Sequence, residues 1–161
     1  MMIRAICKYS VVVMLLLFGL ALPVHAEDPV FSAGAARVDA TPEHLPAVVN
    51  GSMLERLVEE VNDPLHVRAV VMDDGTTKIA MVLVDSCMMP RDLLDKAKKM
   101  AEAQTGIPAE NILVSATHCH SAPSVIAVLG TGVDERYVAF LPGRIAKAIE
   151  LANENLQPAR I

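Results

Sequence analysis

The chain has 161 residues, 53% of them hydrophobic and 20% charged, with a formal net charge of −5. The length suits a single domain, and the acidic balance argues against nucleic acid, because no basic cluster is longer than Lys98-Lys99. Aromatic residues make up only 3%, too few for a platform that stacks bases or sugars.

At the N-terminus, Arg4 and Lys8 precede an unbroken apolar run from Val11 to Leu22 that Pro23 ends. A bilayer crossing takes roughly 20 residues, more than this run supplies. Val24-His25-Ala26 places small residues where a signal peptidase reads. Residues 1–26 therefore read as a cleaved signal peptide and 27–161 as a secreted or periplasmic mature chain, with an uncleaved anchor as the rival. No cysteine stands at the cleavage point, which argues against a lipoprotein anchor. Cys7 departs with the leader. Cys87 and Cys119 remain; export would permit them to pair, but two lone cysteines fit buried free thiols better than a disulfide framework.

Residues 27–62 carry Pro29, Pro42, Pro46 and Gly51 as punctuation. Phe31 to Val38 is expected to hold a short strand, followed by a turn at Asp39-Ala40-Thr41-Pro42. Leu54 to Val61 is expected to form a helical turn or two, with Leu54, Leu57, Val58 and Val61 on one side. His66 to Met72 and Lys78 to Asp85 are β-branched runs around Asp74-Gly75, a hairpin signal. The second run is apolar at nearly every position, as for a strand covered on both faces. Pro90 suits a helix start. Leu93, Leu94, Ala97, Met100 and Ala101 then repeat at helical spacing, with Asp95 four residues before Lys99. Gly106 before Ile107-Pro108 stops that helix. Asn111 to Thr117 reads as another buried strand. A last helix from about Asp134 to Asn153 presents Val138, Leu141, Ile145, Ala148 and Ala152 on one face. Pro142-Gly143 inside it predicts a kink or two shorter helices.

This order predicts an α/β fold: a mixed sheet with a β-hairpin, a right-handed βαβ crossover joining the Lys78 and Asn111 strands in parallel, and flanking helices. Ligands of such sheets sit beyond the carboxyl ends of the strands. Asp85, His118 and His120 are thereby expected to be neighbours.

In an extended chain, residues i and i+2 share a face, so His118 and His120 form a natural metal pair with Cys119 on the opposite side. His-x-His alone is a weak signal, and two histidines do not close a catalytic zinc site, which takes three protein ligands. No Asp-His follows the pair as in metallo-β-lactamases, and no H-E-x-x-H motif is present. Asp85 could orient a histidine, although capping the following turn suits it better. His66 and His44 read as surface and loop residues. Ser121 lacks a G-x-S-x-G elbow. The nine methionines show no M-x-x-M copper pattern and read as core filler.

Ser115-Ala116-Thr117-His118-Cys119-His120-Ser121-Ala122-Pro123 resembles the A-T-H-T-H-S-G-P signature of neutral/alkaline, non-lysosomal ceramidases. Residues 33–42 (AGAARVDATP) resemble that family's opening G-x-x-x-x-D-I-T-P. Asp63-Pro64-Leu65 through Arg68-Ala69 resembles its next strand, and Leu156 to Arg160 its L-Q-P-A-R. The likeness covers residues 33–160, with the His-x-His segment as the specific part. It implies an exported zinc-dependent amide hydrolase of lipid metabolism, acting on the N-acyl bond of sphingolipid-type amides, with room for peripheral membrane contact. It also implies His118 as a Zn2+ ligand and His120 as a catalytic group beside the metal that binds substrate or steadies the oxyanion. Cys119 replaces a threonine of the motif and Ala122 a glycine. The family's other zinc ligands (a histidine, a glutamate and a tyrosine) and its serine nucleophile come from far downstream. The chain is thus expected to be the N-terminal segment of the catalytic domain, an incomplete domain inactive by itself. The competing expectation is a short exported α/β module with a structural or binding role.

Overall fold

The computed structural model describes residues 30–161. The expected signal peptide, with its cleavage after Ala26, lies outside the described residues. Ten elements follow in chain order: β1 (Ser32–Asp39), β2 (Ala47–Val49), β3 (Arg56–Val58), β4 (His66–Asp73), β5 (Lys78–Val84), α1 (Arg91–Thr105), a 3₁₀ turn at Ala109–Asn111, β6 (Ile112–Ala116), α2 (Glu135–Glu154) and β7 (Gln157–Pro158).

Five strands form one mixed sheet in the order β6-β5-β4-β1-β7, and β2 and β3 form a separate two-stranded sheet. β4 and β5 are the predicted antiparallel hairpin, with Asp73 opposite Lys78 at its closed end. In its turn, Asp74 accepts bonds from the Thr76 and Thr77 amides and the Thr76 hydroxyl at 2.7–2.9 Å. β5 and β6 run parallel, in register from Ala80↔Ile112 to Val84↔Ala116, and α1 makes the crossover between them. Gly106 ends α1 in the left-handed conformation (φ 72°), donating to the Glu102 carbonyl at 2.8 Å. Asp134 caps α2, and its carboxylate accepts the Tyr137 amide at 3.1 Å.

The core lies between the sheet and the helices, which share one of its faces. Val67, Val71, Val82, Val84, Ile112 and Val114 meet Leu93, Ala97, Leu141, Ile145 and Ile149, all buried. Tyr137 enters this layer with its hydroxyl donating to the Ala40 carbonyl at 2.7 Å. Burial pushes the Tyr137 pKa above its ordinary value, which keeps the hydroxyl a donor.

Four expectations give way. Residues 54–61 form no helical turn: Arg56–Val58 pair with Ala47–Val49 as β3, and cross-strand pairing overrides the local periodicity. Of the two outcomes expected at Pro142-Gly143, the division into two shorter helices does not occur: α2 runs from Glu135 to Glu154 through Pro142, with Leu141, Pro142 and Ile145 buried against the core. Asp95 pairs with Arg91 at 2.8 Å rather than with Lys99. Finally, β5 is covered on one face only. Its alternate residues Ile79, Met81 and Leu83 stay exposed with Val70 and Leu113, because among the described residues both long helices pack on the opposite face.

Candidate metal and catalytic site

Because β5 and β6 are parallel and end together, the segments 85–87 and 117–120 leave the sheet side by side at one edge. Their pairing continues past the strand ends. The Thr117 amide donates to the Val84 carbonyl at 2.9 Å, and the Cys119 amide to the Ser86 carbonyl at 3.2 Å.

His118 then adopts φ 62°, the left-handed region. That conformation costs a non-glycine residue about 1–2 kcal/mol and marks a backbone held by its surroundings. The two histidines do come together, but strand alternation is not the reason. The turn at His118 folds the chain back, so that the rings meet edge to face with centroids 4.8 Å apart and planes at 76°.

His118 Nδ1 stands 2.8 Å from the Cys87 carbonyl oxygen. A carbonyl only accepts, so Nδ1 carries the proton and donates it, leaving the Nε2 lone pair free for a metal. The Cys87 sulfur lies 3.9 Å from the same Nδ1. Cys87 is buried, and desolvation, with a smaller contribution from Cys119, raises its thiol pKa. One donor atom each from Cys87, His118 and His120 lie within 4.8 Å of one another. Two imidazoles and a thiol suit zinc or another borderline-soft divalent ion, so the residues present fit a metal. Cys87 and Cys119 are both free thiols, with no bridge between them.

His120 is placed from the other sheet. Gly51 follows β2 with φ 95° and lies against the His120 ring, where a side chain would overlap Cβ, Cγ and Nδ1. From β3, Arg56 Nη2 donates to the His120 carbonyl at 2.8 Å. Buried polar groups tie this hairpin to the loop beyond His120. Asn50 Nδ2 donates to Ser124 Oγ at 3.3 Å and to the Ile126 carbonyl at 3.1 Å, and the Ser124 hydroxyl lies 2.7 Å from the Gly132 carbonyl. The Val48 amide donates to Asp134 at 3.2 Å, linking β2 to the cap of α2. Beside the hairpin, a cavity of about 220 Å³ is lined by Leu45, Val49, Val58 and Leu65 and by Glu60, Asn62 and Asp63, with Ser121 and Pro123.

Asp85 is not at the histidines. Its carboxylate accepts the His66 amide and the Arg68 guanidinium, each at 2.9 Å, toward β4. It therefore neither orients a histidine nor caps the turn after it. Alternation explains the difference: Val84 points into the core, so Asp85 points to the bare face that carries Arg68. Cys87, two residues on, reaches the site instead. His66 opens β4, His44 is exposed in the loop before β2, and neither joins the group of three. Cys87, Gly51 and Arg56 were absent from the sequence-predicted site. The strand-end position marked Cys87's segment, and Asn50-Gly51 carried an ordinary turn signal.

No protein-family model matches the chain. Among solved structures, it resembles neutral ceramidase from Pseudomonas aeruginosa with a TM-score of 0.71 and 23% identity, over 82% of this chain and 23% of that one. A second similar structure, a ceramidase complexed with C2, gives a TM-score of 0.68 and 24% identity, over 81% of this chain and 22% of that one. The described residues thus have the fold of a ceramidase segment, and the chain spans less than a quarter of the length of either structure it resembles.

Proposed function

We infer that this chain is the N-terminal segment of an exported zinc-dependent amide hydrolase of the ceramidase type, cleaving the N-acyl bond of sphingoid-base amides. The observation that supports this most is the placement of His118 and His120 at the end of β6, in a fold that matches ceramidase structures over four-fifths of the chain. The A-T-H-x-H-S string at that position adds to it.

In this reading His118 binds zinc through Nε2, its ring steadied by the bond from Nδ1 to the Cys87 carbonyl. The metal, when bound, supplies a Lewis acid that polarises the amide carbonyl. His120 lies on the substrate side. Its ring, backed by Gly51, is held where an imidazole N–H can donate to the oxygen that gains charge as the amide is attacked. The cavity at Ser121 and Pro123, whose lining mixes Leu45, Val49, Val58 and Leu65 with Glu60, Asn62 and Asp63, would receive the polar end of such a substrate together with the first part of its chain. Residues 1–26 serve as the export signal.

The remaining groups needed for turnover belong to polypeptide outside these 161 residues, so the chain alone does not turn over substrate. Two assays test this together. With zinc and an N-acyl sphingoid amide, the 161-residue chain should release no fatty acid, whereas the product of a reading frame extended beyond Ile161 should release it. Turnover by the short chain, or a reading frame that closes at Ile161, would contradict the proposal; the latter would favour a non-catalytic module.

A further inference from the structure

We propose that Cys87 and Cys119 form a reversible disulfide across the ends of β5 and β6, a thiol modification site beside His118. The inference rests on the backbone register at the strand ends and on neither zinc binding nor amide hydrolysis.

β5 and β6 pair in parallel as far as Val84↔Ala116. The Thr117 amide donates to the Val84 carbonyl, and two residues further along both segments the Cys119 amide donates to the Ser86 carbonyl. The same step recurs, so the register carries past the strand ends, and the left-handed turn at His118 does not break it. Cys87 and Cys119 are the next neighbours across it. With the Cys119 amide 3.2 Å from the Ser86 oxygen, ordinary bond lengths leave the two α-carbons no more than about 7 Å apart, and a disulfide spans about 4.4–6.8 Å. The Cys87 sulfur leans toward the same segment, 3.9 Å from Nδ1 of His118, the residue before Cys119. Charge at Cys119 is also felt at Cys87. A bridge between the two sulfurs uses no atom of either histidine, so Nε2 of His118 keeps its lone pair.

Exposure orders the chemistry. Cys87 is 3% exposed and Cys119 is half-buried, so an oxidant in solution meets Cys119 first. Cys119 attacks a small disulfide such as oxidised glutathione and releases one reduced thiol. The Cys87 sulfur then attacks the mixed disulfide at Cys119 and releases the second. The two protein thiols give up two electrons and two protons, and the small disulfide takes both to become two thiols.

The test treats the folded whole chain with oxidised glutathione in metal-free buffer and maps its cysteines after digestion. The expected result is a peptide pair joined through Cys87 and Cys119 that separates on reduction. Because the bridge closes a loop holding α1 and β6, the oxidised chain should unfold at higher urea than the reduced one, and Cys119→Ser should erase that difference. The peptide map needs no substitution, so it stands even where a variant fails to fold. Glutathione retained on Cys119 while Cys87 still alkylates after unfolding would overturn the site. So would a bridge from either cysteine to Cys7 or to a second copy of the chain.

Discussion

Gly51 packs directly against the imidazole of His120, close enough that even a methyl side chain would overlap the ring. A residue of the small two-stranded sheet thereby sets the position of a histidine delivered by the large one. The left-handed φ of 95° at Gly51 adds a second reason for glycine there.

Gly51→Ala should therefore cost about 1–2 kcal/mol in backbone strain alone and displace the His120 ring. Denaturant unfolding measures the first. Imidazole resonances measure the second, with His120 shifting and His44 unmoved; equal shifts at both would show a general loosening instead.

Ser124 joins the loop beyond His120 to Asn50 and to the Gly132 carbonyl with no exposure to solvent. Removing its hydroxyl leaves those groups short of a partner in a buried place. Ser124→Ala is expected to lower stability by about 1–3 kcal/mol in urea unfolding. A change below a few tenths would mean that water replaces the hydroxyl.

The β4–β5 turn should be acid-sensitive. The Thr77 amide, then the Thr76 hydroxyl and amide, donate to the Asp74 carboxylate and lower its pKa from 3.8 to about 2. A depressed folded-state value means that the stabilisation is present above pH 3.8 and is lost as pH falls toward 2. Asp74→Asn should thus lower the melting temperature at pH 7, with the difference shrinking below pH 3.8 and disappearing only once the pH falls below about 2. A difference independent of pH would assign the effect to turn geometry instead of charge.

On the bare face of the sheet, Val70, Met81 and Leu113 are opposite one another across three strands, at 40%, 47% and 57% exposure. β6 is also an edge strand, so apolar surface and unpaired backbone coincide. The 161-residue chain should self-associate at high concentration, and Leu113→Lys should reduce this while changing stability by no more than about 0.5 kcal/mol. Sedimentation of both proteins checks it; equal association would clear this face.

How far the sequence foretold this arrangement differs from element to element. The β4–β5 hairpin and the β5–α1–β6 crossover were legible because local signals agree with the global pairing: Asp74-Gly75 between β-branched runs, and helical spacing from Leu93 to Ala101. β3 was not, because residues 54–61 carry helical spacing and only contact with Ala47–Val49 makes Arg56–Val58 a strand. Periodicity also cannot show what covers a strand, so β5 read as doubly buried when one of its faces is bare. At the site, the pairing of His118 with His120 was legible and its cause was not. The left-handed turn at His118 is set by bonds from Thr117 and Cys119 to the neighbouring segment, which are long-range facts. Asp85 read as the third neighbour because it ends an apolar run; strand alternation sends it to Arg68, whereas Cys87 lies past the strand end, where alternation no longer holds, and sits beside His118.

Hydrolysis of an N-acyl sphingoid amide by the extended product reports whether His118 anchors zinc in an amide hydrolase. Fatty-acid release should disappear on chelation, return with added zinc, and fall by at least a hundredfold in His118→Ala while the fold is retained. Hydrolysis that survives both chelation and His118→Ala would contradict that role.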